Sequence, residues 1–160
     1  MVRAVMFAAV LLFAASPAAA GGFYDKDQLA KVLQVLVVVE DDVRGVCLPQ
    51  PDALKVEAEL ILRRSGINVV EKDLWARAHT LQINVNGTQY PRNTPGCIVA
   101  FSAALWRYQQ QVDGTIGLVL AAESNTLIGY HLEEARQRLR EKVNEQVTAL
   151  ANEILKVRQR

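Results

Sequence analysis

The apolar residues of this chain change their spacing several times, and each change marks an element. Val35, Leu36, Val37, Val38 and Val39 are apolar at every position. Such a run predicts a strand covered on both faces, or a central strand beneath a helix. Glu40-Asp41-Asp42 is expected to end it, and Gly45, Cys47, Pro49 and Pro51 to form a loop. A short helix is predicted over 53–64, with Leu54, Ala58 and Ile61 on one stripe, Pro51 at its first position, Arg63 and Arg64 in its last turn and Gly66 as its C-terminal cap. Ile67–Val70 then reads as a short strand, and Asp73 could cap a single turn through Trp75.

Leu81, Ile83 and Val85 alternate with polar residues, a period of two that marks a strand with one buried face. Asn86-Gly87 reads as a turn, and Thr88–Gly96, with its prolines, as a loop. Cys97–Gln111 reads as a strand with Val99, Phe101 and Leu105 on one side and Trp106 and Tyr108 on the other. Asp113-Gly114 joins it to an alternating run through Ala122 in a hairpin, and Glu123–Tyr130 reads as a polar connection. From Leu132 to Val157 apolar residues recur every three or four positions, one long amphipathic helix with glutamates at its start and basic residues at its end.

Three consecutive strands with short turns form an antiparallel meander, and the strict alternation of a parallel α/β protein is absent. The predicted class is therefore α+β: a two-layer sandwich of a mostly antiparallel sheet, with a short helix and a long C-terminal helix on one face.

The first residues add a destination. Arg3, the apolar run Val5–Ala15, the Ser16-Pro17 break and Ala18-Ala19-Ala20 follow the order of a secretory leader. The run is too short to span a hydrocarbon core, which takes about 20 residues. The chain thus divides into a signal peptide at 1–20 and a single domain at 21–160, placed in the periplasm or secreted. Over the whole chain 18 basic residues face 17 acidic ones, with Arg3 in the leader. That balance argues against a nucleic-acid partner and against anchoring to anionic lipid. No transmembrane segment remains after signal cleavage. In an exported protein Cys47 and Cys97 are expected to form a disulfide.

Catalytic patterns are scarce. His79 and His131 lie far apart, and with the cysteines oxidised no zinc site has enough ligands. Nucleophile elbow, HExxH and phosphate loop are all missing, so neither metal nor cofactor is expected. Glu40-Asp41-Asp42 offers oxygens, but neighbours on a strand point to opposite faces and rarely converge on calcium. Asn86-Gly87-Thr88 is a glycosylation sequon if the pathway is eukaryotic. Trp106, Tyr108 and Tyr90 are candidates for a binding surface on an uncovered sheet face.

VVVE (Val37–Glu40), LRRSGI (Leu62–Ile67) and INVN (Ile83–Asn86) together resemble a family of small exported bacterial proteins of uncharacterised function. At fold level the chain also resembles the N-terminal domain of the Tol-system protein TolB. Both resemblances imply an envelope location, and neither supplies a catalytic residue. The function expected is a non-enzymatic binding or envelope-interaction module for a protein or small-molecule partner. Two alternatives stand beside it: an unfamiliar hydrolase using His79 with acidic partners, and a homodimer zipped through the final helix in place of a monomer.

Overall fold

The computed structural model describes residues 23–44, 47, 51–71, 78–89, 96–111, 114–129 and 131–159. The leader, the turn expected at Asp73, Tyr90 and the Pro91–Pro95 stretch lie outside them. The elements run β1 (Phe23–Tyr24), α1 (Lys26–Leu29), β2 (Gln34–Arg44), α2 (Pro51–Arg64), β3 (Asn68–Val69), β4 (His79–Gln89), β5 (Cys97–Gln111), β6 (Gly114–Gly129) and α3 (Leu132–Arg158). They form an α+β fold with one six-stranded sheet, ordered β1-β6-β5-β4-β2-β3. The β4-β5-β6 meander and β1 pair antiparallel; β2 pairs parallel with both β3 and β4.

The two-residue period of the strands divides the sheet cleanly. Val35 and Val37 of β2, Leu81, Ile83 and Val85 of β4, and Val99, Phe101 and Leu105 of β5 are all buried in one core. Leu54, Ala58 and Leu62 of α2 and Leu139, Val143, Val147 and Ile154 of α3 fill the same core, so both long helices cover this one face. α3 lays its apolar stripe on the sheet within this single chain. The Glu57–Arg140 ion pair ties α2 to α3 at the surface.

Local signals explain the helix ends. Gly66 has φ +73°, a left-handed conformation open to glycine. Its N–H donates to the Arg63 carbonyl at 3.0 Å, and that of Ile67 to Leu62 at 2.9 Å, closing α2 in a Schellman turn. The stripe of α2 runs Leu54, Ala58, Leu62, with Ile61 only partly buried at its flank.

Four stretches differ from the sequence pattern, each because the fold supplies a pairing partner. Glu40-Asp41-Asp42 does not end β2; the parallel ladder continues to Arg44↔Thr88. Asn86-Gly87 is not a turn but mid-strand, with Gly87 paired to both Val43 and Val99. A Cβ there would lie 3.1 Å from the Ile98 carbonyl oxygen and 3.3 Å from Val99 Cγ2, so the glycine permits close strand packing. Glu123–Gly129 belongs to β6, paired to β5 as far as Cys97↔Gly129. Finally, the short polar stretch after the leader, which shows no apolar period, holds β1 and α1, the latter capped by Asp25, whose carboxylate accepts from the Gln28 N–H at 3.2 Å.

Cys47 and Cys97 form the expected disulfide, 50 residues apart and buried in the helix-side core. Replacing both (Cys47→Ser with Cys97→Ser) is expected to lower the unfolding free energy by about 2–4 kcal/mol in urea denaturation, the range for a loop of this length. An unchanged midpoint would show that the closed loop contributes nothing.

Gln146 of α3 is only 5% exposed, and neither amide atom has a hydrogen-bond partner. It lines a small cavity with Tyr24, Ala103, Ala121 and Leu150. Gln146→Leu removes two unpaired polar atoms at similar volume, so it is expected to stabilise the fold by about 1–2 kcal/mol. A lower urea midpoint in that variant would show that the amide is satisfied in solution.

Candidate functional site

Among the described elements, no helix packs on the second face of the sheet. Register fixes its rows. Leu36, Thr80, Trp106 and Val119 form one row across β2, β4, β5 and β6; Val38, Gln82, Ala104 and Ala122 the next; Glu40, Asn84 and Ser102 a third. The apolar end of this face is a second small cluster of Leu36, Val70 and Ala78, with Val38 against it. Further along the face turns polar: Gln82 Nε2 donates to Glu40 Oε2 at 2.8 Å and to Asn84 Oδ1 at 3.2 Å.

Trp106 and Tyr108 stand at the apolar end: Trp106 is in the row of Leu36, and Tyr108 lies one step further from the amides. They are two residues apart on one side of β5, half-buried, with near-parallel rings 14° apart and centroids 6.4 Å apart. That is a flat aromatic platform beside a carpet of amides. The Trp106 indole Nε1 is buried without a hydrogen-bond partner. A buried indole N–H usually finds an acceptor, and none of the described groups supplies one. Tyr90, the third aromatic of the expected surface, lies outside the described residues.

Along the edge of the sheet next to this face, no described strand covers most of β2. β3 pairs with β2 only at Gln34 and Val35. Val35 points its carbonyl at β3, accepting from the Val70 N–H at 3.0 Å. Strand alternation then directs the backbone groups of Val37, Val39, Asp41 and Val43 the same way, where no described strand meets them. A cleft along this edge is lined by Leu36–Val39 with Pro51, Asp52 and Lys55 at the start of α2.

His79 lies elsewhere. It opens β4 on the helix face, 9% exposed, with Nε2 lacking a partner. Its ring is hydrogen-bonded to the Gln34 backbone, and its charged neighbours are Arg107 and Arg158. Among the described residues no carboxylate acts on it, so they assemble no acid–base pair around this histidine. His131 is exposed at the N-cap of α3, where its side chain makes no capping bond. Among the described residues no group of three or more metal-ligating side chains comes together, and no helix is long and apolar enough to cross a membrane.

No family model matches the chain, and no curated protein matches it. Solved structures similar to it include a PelC dodecamer from Paraburkholderia phytofirmans (17% identity, 77% of this chain and 87% of that one, TM-score 0.42). Another is a minor lipoprotein from Acinetobacter baumannii (10% identity, 78% and 93%, TM-score 0.36). A third is the rare lipoprotein B from Shewanella oneidensis (12% identity, 76% and 91%, TM-score 0.29). These overlaps are too shallow to bear on function.

The surroundings of His79 make a pH prediction. Burial above all, then Arg107 and Arg158, hold its pKa below 6.5, against the opposing hydrogen bond to Gln34. The unfolded chain therefore takes up this proton first as pH falls below about 6.5, and stability declines until the folded value is reached. Urea midpoints measured between about pH 7.5 and pH 5 are expected to fall more steeply in the wild type than in His79→Gln. Parallel slopes in the two proteins would show that His79 titrates alike in both states.

Proposed function

We propose that this chain is an exported, non-enzymatic binding module that engages its partner through the second face of the sheet and the free edge of β2. The observation that carries the reading is the one-sided helix layer. It leaves the face bearing Trp106, Tyr108, Gln82 and Asn84 without a covering element among the described residues. Aromatic rings supply apolar contact area, amides supply directional hydrogen bonds, and the edge supplies backbone groups for an added strand. Location in the periplasm or outside the cell is supported by the leader pattern, by the buried disulfide and by the resemblance to small exported bacterial proteins. The partner is a protein or a small molecule; the balanced charge disfavours nucleic acid.

Site-specific photocrosslinking in living cells tests this. A crosslinker at Asn84, on the second face, is expected to give discrete adducts that Trp106→Ala weakens. The same group at Glu141, exposed on α3, is expected to give none. Equal labelling from both positions, or adducts at Asn84 that ignore the loss of Trp106, would remove the proposed surface.

A further inference from the structure

On the helix side of the sheet, apart from that surface and independent of it, three basic side chains converge. His79 is buried with Nε2 unpartnered. Thr80 pairs with Trp106 at the end of the β4–β5 ladder, so His79 and Arg107, one residue further along their strands, both fall on the helix face. Arg107 is steadied from α1, where its Nη1 donates to Gln28 Oε1 at 3.2 Å. Arg158, the last residue of α3, completes the group and acts on the same imidazole. Its Nε and Nη2 are both buried and neither has a hydrogen-bond partner. Among the described residues neither arginine belongs to an ion pair, although α3 carries several between its exposed residues.

We infer that His79, Arg107 and Arg158 form a binding site for a small oxyanion, a carboxylate or phosphate group, seated on the Nε/Nη2 edge of Arg158. Those two N–H groups lie side by side in the plane of the guanidinium and point the same way. Their spacing matches two oxygens of one carboxylate or phosphate, the two-pronged geometry in which arginine binds most strongly. Leaving such donors buried and unpaired is costly, and two guanidinium groups beside an imidazole repel one another unless an anion lies between them. Arg107 contributes the second cation. His79, with one ring nitrogen donating to Gln34, donates from Nε2 to the same ligand when it is protonated, the state that a bound anion favours. One bound oxyanion satisfies all of these groups together.

The test is an imidazole-nitrogen NMR titration of the intact chain, first with inorganic phosphate and separately with succinate. His131, exposed and remote in sequence, is the internal reference. Saturable movement of the His79 signals while those of His131 stay still is expected with at least one anion. The anion that produces it identifies the ligand as phosphate-bearing or carboxylate-bearing. Arg158→Gln is expected to weaken the binding at least about tenfold, and Arg158→Lys, which keeps the charge without the fork, nearly as much. Arg107→Gln should weaken it in a second, independent variant; circular dichroism confirms that each variant is folded. The site is overturned if neither anion saturates, if both histidines drift together with ionic strength, or if binding survives in Arg158→Gln.

Discussion

The contact between α3 and the helix-side residues of β5 and β6 determines the rest of this molecule. Each strand has one face to bury, and the long helix has one stripe to bury, and the two fit only in one register. Fully burying a Leu, Val or Ile side chain contributes about 1.5–3 kcal/mol, so slipping any of these strands by one residue would forfeit that gain at several positions at once. β2 then joins β4 in parallel with its own odd positions, Val35 and Val37, in the same core. The disulfide fastens the segment after β2 to the start of β5 inside that core.

Committing every helix to one side fixes what the other side can be. Its residues are the even-numbered ones of β2, β4 and β5, which have no helix to meet. They shade from apolar at Leu36 to amide and acid at Asn84 and Glu40. The aromatic pair at the apolar end has a structural purpose, since half-buried rings shield the strand backbone while leaving contact area outward. The short β3 has a parallel consequence. Two paired residues close the start of the β2 edge, and the remainder stays free of any described strand. Folded proteins commonly blunt such edges with charge, and Asp41 and Asp42 stand exposed along this one.

Much of this could be read from residue order. Strong periodicity gave α3, α2 and the meander, because amphipathic spacing is a local property that the tertiary structure uses without altering. The face assignment of Trp106 and Tyr108 followed from parity alone. Misreadings arose wherever a neighbouring strand outweighed local preference. Asn86-Gly87 favours a turn in isolation, but flanked by β2 and β5 it finds partners on both sides and stays extended. Glu40–Asp42 remains in a strand because backbone pairing is indifferent to side-chain charge when the side chains reach water. α1 is a four-residue turn with no periodicity to detect, and only the Asp25 cap would have signalled it. Gln146 and Arg158 looked like ordinary polar positions on a long helix. Their unpaired atoms become visible only once the helix is laid on the sheet.

One irregularity links the two sides of the sheet to these polar positions. Between Leu105 and Trp106 the β5–β6 register shifts by one residue, and Leu120 is the extra residue. A bulge brings two neighbours to one face, and here Leu120 and Ala121 are both buried, at 1% and 3% exposure. The bulged Leu120 turns its carbonyl to accept from the Asp25 N–H at 2.8 Å, which docks the residue that caps α1. α1 in turn carries Gln28, whose side-chain oxygen holds Arg107. An extra residue in one strand therefore anchors the amino-terminal segment, and that segment orients a basic side chain next to His79. Straightening β6 by deleting Leu120 would leave Asp25 without its backbone partner and Arg107 without its brace. The position of Arg107 thus depends on a backbone feature more than ten residues away in sequence, which is why no short motif around His79 could have disclosed it.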